Sequence, residues 1–327
     1  MSFEAVQRRL DSLTKPPGSL GRLEDILLTY AWITGKEPPV QPRLAGYVFC
    51  ADHGVVAEGV SAWPSAVTRQ MVRNFAAGGA AINVLCRHYG IEPFIIDMGV
   101  QGEPVPGVRD FRIAPGTRNF AQEPAMTAMQ AQQAIDVGKG LAMEAAGNFD
   151  LLLCGEMGIG NTTAATALLC AYSGVDPERV TGAGAGLDAN GVRHKTGVIR
   201  AGLTRHSSTQ PLEVAAAFGG FEILAIAGMI LGAAEVRIPV ILDGFISCSA
   251  ALIVNALHAE ALKVVIYSHC SAEKGHKMML EFLNAQPLLD LEMRLGEGTG
   301  AAMAAGIFQA ACRIYYEMAT FDQAQVG

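Results

Sequence analysis

Five apolar runs, each closed by a polar residue or a glycine and separated from the next by helix-length stretches, constrain this chain more than any other feature. Leu44–Ala51 runs into Asp52-His53-Gly54, residues 93–96 into Asp97, residues 151–154 into Gly155-Glu156, Val240–Leu242 into Asp243-Gly244, and residues 264–267 into Ser268-His269. Continuous apolar runs belong to strands buried on both faces, and the intervals between them supply the crossovers that parallel strands need. The pattern predicts an α/β fold with one doubly wound, mostly parallel, Rossmann-like sheet, which accounts for it better than any all-β or helix-bundle arrangement. Ligands of such sheets bind at the C-terminal strand edge, where the polar closing residues fall.

The remainder reads as helices and connections. Phe3, Val6, Leu10 and Leu13 recur at helical spacing, the segment Lys15-Pro16-Pro17-Gly18-Ser19-Leu20-Gly21 stops that helix, and Leu20, Leu23, Ile26 and Leu27 begin another. Residues 35–42 carry three prolines and read as a linker. Val67, Met71 and Phe75 mark one helix face, and residues 101–125, interrupted by prolines, read as a long loop or lid. The apolar stretch from Ile223 towards Leu242 is broken by Glu235 and Arg237, so it reads as a buried helix and a strand rather than a membrane span. The first 14 residues are polar and amphipathic, unlike a secretory leader.

Composition narrows function mainly by exclusion. A net charge of −7, without a Lys/Arg cluster interleaved with aromatics, argues against a nucleic-acid surface, while a small anionic substrate needs only one local positive site. The seven cysteines stand at 50, 86, 154, 170, 248, 270 and 312 with no Cys-x-x-Cys pair, as small core residues of a reduced cytoplasmic protein would.

Four segments carry candidate chemistry. Gly155-Glu156-Met157-Gly158-Ile159-Gly160-Asn161 follows an apolar run and precedes a helical sequence, so a turn there would offer backbone N–H groups to an anion, with Glu156 an unexpected carboxylate inside it. Its spacing matches neither the dinucleotide fingerprint nor the phosphate-binding loop. Gly182, Gly184 and Gly186 alternate with small residues ahead of His194-Lys195, which suits either a phosphate loop with its point charge or a flexible loop before a solvated lysine. A helix beginning near Ser271 would bind phosphate, or would simply be capped by that serine. Arg294-Leu295-Gly296-Glu297-Gly298-Thr299-Gly300 clears steric room around Glu297, which helps a general base and is equally compatible with an exposed turn. A metal site joining His53 or His269 to Asp52 or Asp243 lacks ligand spacing, and structural histidines explain both better.

Taken together and in order along nearly the whole chain, these segments resemble the nicotinate-nucleotide:dimethylbenzimidazole phosphoribosyltransferase family. The similarity runs through Lys15–Gly21, Ala51-Asp52-His53-Gly54-Val55, the 155–163 segment, the glycine loop with Lys195, Asp243-Gly244-Phe245, Ser268-His269-x-Ser271-Ala272-Glu273 and the 294–300 segment. The resemblance implies transfer of phosphoribose from nicotinate mononucleotide to 5,6-dimethylbenzimidazole, without cofactor or metal. It implies a homodimer whose subunits have a large domain, 35–280, and a small helical domain built from 1–34 plus 281–327. It places Glu297 as the base, and Glu156, Gly158, Gly160, Gly184, Ala185, Lys195, Asp243, Ser271 and Gly298 around the nucleotide. The 60–71 segment, with Ser61, Trp63 and Met71, and Leu295 fall at the acceptor pocket. Two other readings of an α/β chain compete: a nicotinamide-dependent oxidoreductase, which requires a strand–Gly-x-Gly-x-x-Gly–helix unit not found here, and a non-catalytic nucleotide-binding protein that would have lost the base.

Overall fold

The computed structural model describes residues 2–326. Six strands form one sheet in the order β3-β2-β1-β4-β5-β6. They are β1 (Leu44–Ala51), β2 (Ile91–Gly99), β3 (Arg109–Asp110), β4 (Leu151–Met157), β5 (Val240–Leu242) and β6 (Val265–Tyr267). Every pairing is parallel, with β1 central between β2 and β4. Successive residues of a strand point to opposite faces, so Tyr47 and Phe49 of β1 enter one apolar cluster while Val48 and Cys50 enter the other. Because both faces are covered by helices, neither set is polar, and the strand reads in sequence as an unbroken apolar run.

The structure departs from the sequence reading in three places. Residues 101–125 contain a sixth strand, β3, which pairs Arg109 with Ile96 and Asp110 with Asp97. Two charged residues at a sheet edge carry no hydrophobic pattern to betray them. Gly155 and Glu156 lie within β4 opposite Val48 and Phe49, and the turn begins only at Gly158. No helix starts near Ser271; the next one is His276–Phe282, and the Ser271 hydroxyl instead accepts the Glu273 N–H at 3.3 Å.

One face of the sheet is packed by the helices Ala128–Ala145, Asn161–Ser173, Phe221–Val236 and Phe245–His258. Phe221–Val236 is apolar all round and correspondingly buried almost throughout. It lies unusually close to Ala128–Ala145: a Cβ on Gly138 would stand 1.8 Å from the Ala225 carbonyl oxygen, and one on Gly228 1.9 Å from that of Ile135. Glycine is obligatory where two helix backbones meet at that separation. The stretch Phe245–Val264 has the length and apolarity of a membrane span, yet its helical part is built into this core against the Asn161–Ser173 and Phe221–Val236 helices.

The other face is covered by Ser2–Ser12, Arg22–Thr34, Ala81–Tyr89 and Thr299–Glu317, which bring the two chain ends together. Leu13 makes an antiparallel bridge with Thr320, and the Arg9 guanidinium donates to the carbonyls of Tyr315 and Met318 at 3.3 and 3.2 Å. The proline-glycine turn is fixed by Glu24, whose Oε1 accepts the Leu20 N–H and lies 2.9 Å from Lys15 Nζ; both charged side chains are buried. The Thr299–Glu317 helix runs from this end assembly onto β4 and β5, and its first residues therefore reach the C-terminal edge of the sheet.

Candidate active site

The loops following β1, β4, β5 and β6 surround a cavity of about 580 Å³, the position expected for an open α/β sheet. Its chemistry is dominated by carboxylates: Glu156, Asp243, Glu273 and Glu297 all line it. Each of the three nearest the strand ends is held differently, and the differences decide what it can do.

Glu297 sits in a run of three consecutive left-handed residues, Gly296 at φ 83°, Glu297 at φ 63° and Gly298 at φ 92°. Glycine accepts that conformation freely, but for glutamate it costs roughly 1–2 kcal/mol. The strain persists because the turn is clamped from outside. Asp243, delivered by the end of β5, accepts the N–H groups of Gly298 at 3.0 Å, Gly300 at 2.7 Å and Ala301 at 3.1 Å. It thereby caps the Thr299–Glu317 helix from another element, satisfying three of the N–H groups that a helix start leaves open. Behind the turn passes β4, where a Cβ on Gly155 would fall 2.3 Å from the Gly298 nitrogen, so residue 155 must be glycine for Glu297 to stand where it does.

Glu297 is 6% exposed, which rules out the exposed-turn reading of its Gly-Glu-Gly frame. Burial, and then the negative charge of Asp243, push its carboxyl pKa up, while the Ile82 N–H at 3.5 Å opposes them. The result is a carboxylate with more proton affinity than a solvated glutamate, the direction a general base requires. Glu156, on β4, is raised further, to about 8, by burial and then by the Asp243 and Glu222 carboxylates. Asn161 at the start of the following helix donates its amide to Glu156 and partly counters this. At neutral pH Glu156 is therefore largely a protonated acid, a hydrogen-bond donor rather than a charge.

Part of the cavity wall is formed by two glycine-rich segments, with a buried lysine behind them. The Asn161–Ser173 helix begins after Gly160 (φ 95°) with Asn161 and Thr162 lining the cavity; the Asn161 and Thr163 N–H groups are taken by the Gly158 and Gly160 carbonyls. In the glycine loop, Gly186 and Leu187 both donate to the Ala183 carbonyl, which leaves the N–H groups of Gly184 and Ala185 with no acceptor among the described residues. Lys195 is 1% exposed, contrary to the solvated reading, and its Nζ donates to Thr162 Oγ1 at 2.9 Å. Burial lowers its pKa to about 8, with Glu273 working the other way. Lys195 and Gly298 stand just behind the wall, while the other nucleotide candidates, Glu156, Gly158, Gly160, Gly184, Ala185, Asp243 and Ser271, line the cavity itself. The Ser271 N–H donates to His276 Nδ1 at 2.7 Å; burial depresses that imidazole to about 3, so it is neutral with its proton on Nε2.

Another part of the lining is mostly apolar. Ser61, Trp63, Met71 and Leu295 line it, joined by Val60, Val67, Met157 and Ile159. Val60 and Val67 belong to the 60–71 segment that the sequence reading placed at the acceptor pocket, whereas Met157 and Ile159 were marked only as part of the 155–161 segment. Thr162 and Asn161 were likewise missed as individuals although their segment was marked. None of residues 101–125 lines the cavity. His53 is occupied elsewhere, its Nε2 2.6 Å from the buried Glu222 carboxylate beneath the Gly158–Gly160 turn.

Comparison with known proteins agrees with this architecture over the full chain. A family model described as phosphoribosyltransferase matches residues 2–326. The nicotinate-nucleotide–dimethylbenzimidazole phosphoribosyltransferase of Geobacter sp. (strain M21) is 48% identical over 98% of this chain and 93% of its own length. The protein of the same name from Chloroflexus aurantiacus (strain ATCC 29366 / DSM 635 / J-10-fl) is 50% identical over 99% and 93%. The crystal structure of CobT from Thermus thermophilus superposes with a TM-score of 0.93 at 45% identity, covering 100% of this chain and 99% of that one. The chain therefore belongs to the phosphoribosyltransferase family of which the nicotinate-nucleotide–dimethylbenzimidazole enzymes are members.

Proposed function

We propose that this protein transfers 5-phosphoribose from nicotinate mononucleotide to 5,6-dimethylbenzimidazole, giving α-ribazole 5′-phosphate and nicotinate for assembly of the cobalamin nucleotide loop. The observation that carries the reading is the clamped Glu297: a buried carboxylate of raised pKa, held in left-handed backbone at the wall of the cavity. Nicotinate on ribose is a pyridinium and leaves as a neutral ring nitrogen, so departure needs no general acid. One base suffices. As C1′ gains oxocarbenium character, the acceptor's unprotonated ring nitrogen attacks it, and Glu297 takes the proton from the other ring nitrogen so that the product does not stay cationic. A positioned base of this kind contributes ~10²- to 10⁴-fold, and holding two bound reactants in line supplies up to ~7–11 kcal/mol. A β-linked donor and an α-linked product require inversion, hence direct displacement.

In this scheme the phosphate is held by the Gly184 and Ala185 N–H groups, with Lys195 supplying charge through Thr162, and by the Ser271 hydroxyl. Glu156, protonated, donates to a ribose hydroxyl, and Asp243 with Gly298 acts through the backbone to hold Glu297. Ser61, Trp63, Met71 and Leu295 receive the acceptor ring. Segments 1–34 and 281–327 constitute the small domain, supported by the Leu13–Thr320 bridge and the Arg9 contacts, and the protein works as a cytoplasmic homodimer. The test is to mix protein, nicotinate mononucleotide and dimethylbenzimidazole and follow nicotinate release, with the anomeric configuration read by NMR. Absence of release with dimethylbenzimidazole, benzimidazole, adenine and phenolic acceptors alike would overturn the assignment. Sedimentation as a monomer at micromolar concentration would overturn the dimer.

A further inference from the structure

Two segments of the cavity lining, 60–71 and the glycine loop, are joined by one side chain. Trp63 stands at the tip of the segment between Gly59 and Ala66, half exposed, and its indole N–H donates to the Ala185 carbonyl at 3.1 Å. Ala185 is the central residue of the glycine loop, flanked by Gly184 at φ 53° and Gly186 at φ 113°. The same short loop thus offers unpaired N–H groups on its nucleotide side and spends its carbonyl on a tryptophan of the acceptor side.

The segment bearing Trp63 is rooted firmly and tipped freely. At its root, Glu58 is fixed on three sides: its carbonyl accepts from His194 Nε2 at 2.5 Å, and its carboxylate accepts from the Asn119 amide at 2.5 Å and the Gln122 amide at 2.9 Å. Gly59 follows in left-handed backbone (φ 72°), and the tip is shaped by the Trp63 N–H donating to Ser61 Oγ at 3.1 Å. Beyond Glu58 the Trp63–Ala185 bond is the one hydrogen bond from this segment to the glycine loop among the described residues.

We propose that Trp63 is a positioning residue that couples the two substrates: phosphate held by the Gly184 and Ala185 N–H groups fixes the orientation of the glycine loop, and the fixed Ala185 carbonyl in turn fixes Trp63 over the acceptor pocket. This rests on the phosphoribosyl transfer proposed above. Coupling of this sort is reciprocal, so a phosphoribosyl ligand tightens acceptor binding by the same factor as the acceptor tightens the phosphoribosyl ligand. One neutral hydrogen bond sets the scale, a change of about 2- to 10-fold in the equilibrium constant.

The probe is ribose 5-phosphate, which carries the phosphate and sugar but no leaving group. The dissociation constant of dimethylbenzimidazole is measured by calorimetry with and without saturating ribose 5-phosphate, and the reverse titration is run as well. In the wild type both ratios are expected at about 2- to 10-fold and equal. Trp63→Phe keeps an aromatic wall and removes the donor, and since residue 63 is half exposed the variant folds; its ratio is expected to fall to one. A ring that merely forms pocket wall would change the dimethylbenzimidazole constant equally with and without ribose 5-phosphate, leaving the ratio at its wild-type value, and that result overturns the proposal. So does a wild-type ratio of one. Nicotinate release from nicotinate mononucleotide and dimethylbenzimidazole, assayed on the wild-type protein, separates the cases: release by the wild type together with an unchanged ratio in the variant removes the coupling alone, whereas no release by the wild type removes the reaction on which it rests.

Discussion

Replacing Asp243 with asparagine tests whether Glu297 is held by the backbone clamp. The carboxylate accepts three N–H bonds, two on Oδ1 from Gly300 and Ala301 and one on Oδ2 from Gly298. Asparagine has a single acceptor oxygen. If that oxygen stays with Gly300 and Ala301, the new amide nitrogen faces the Gly298 N–H at about the same 3.0 Å, donor against donor. One charge-assisted bond is lost, worth ~1.5–3 kcal/mol, and a buried N–H is left unsatisfied at ~1–3 kcal/mol. Removing negative charge from the start of the Thr299–Glu317 helix costs up to ~1 kcal/mol more. The opposite rotamer is worse, since it strands two N–H groups. The sum, about 2.5–7 kcal/mol, is a large part of a typical domain's stability, so the urea midpoint should drop steeply with little change in m. The variant that remains folded should also lose kcat, because the 296–298 turn is then free to leave its left-handed conformation and carry Glu297 with it. A variant with wild-type midpoint and wild-type kcat would refute the clamp.

Other consequences are equally concrete. Glu297→Gln should bind nicotinate mononucleotide within about threefold of wild type but lose ~10²- to 10⁴-fold in kcat; near-normal turnover would remove Glu297 from the mechanism. Because burial raises the Glu297 pKa and the base must be ionised, kcat/KM should fall with acidification through an inflection above 4.5, the ordinary glutamate value, and an inflection at or below it would contradict the buried setting. Glu156, raised from 4.5 to about 8, holds a proton in the folded protein that the unfolded chain releases, so its contribution to stability is complete below about 4.5 and is lost as pH rises towards 8. Denaturation across that window should show a decline that is smaller in Glu156→Gln, and identical slopes in the two proteins would count against it. Gly228→Ala would set a methyl 1.9 Å from the Ile135 carbonyl oxygen and force two core helices apart, at ~1–3 kcal/mol or more by thermal or urea unfolding; an unchanged midpoint would mean the helices separate without cost.

How much of this was legible beforehand follows from how each feature is encoded. β1, β2, β4, β5 and β6 are buried on both faces, and burial writes itself into sequence as apolar runs. β3 is two charged edge residues, and nothing in Arg109-Asp110 distinguishes it from loop. The end of β4 misled for a related reason. Gly155 and Glu156 look like turn residues, but Gly155 is small because the Glu297–Gly298 peptide packs on it from a segment over 140 positions away. Lys195 showed the same blindness, since its burial depends on Thr162 and Gly184 closing around it and not on its neighbours in sequence.

The roles of Glu156 and Glu297 illustrate why residue type alone could not divide the labour between two carboxylates in glycine-rich segments. Both are buried and both have raised pKa values, yet they come from unlike backbone. Glu156 is on a regular strand, hydrogen-bonded to Asn161 and pressed by neighbouring carboxylates, conditions that favour its keeping a proton. Glu297 is pressed by fewer neighbouring carboxylates, receives one weak backbone N–H, and sits in a strained turn that two flanking glycines and Asp243 hold at the cavity. A base must give up its proton near neutral pH and must reach its substrate. Of the two, the residue in the strained turn has the setting that fits the proposed base, and the turn is held by Asp243 from the end of β5 with Gly155 of β4 behind it, which is why the site needs the parallel sheet to assemble it.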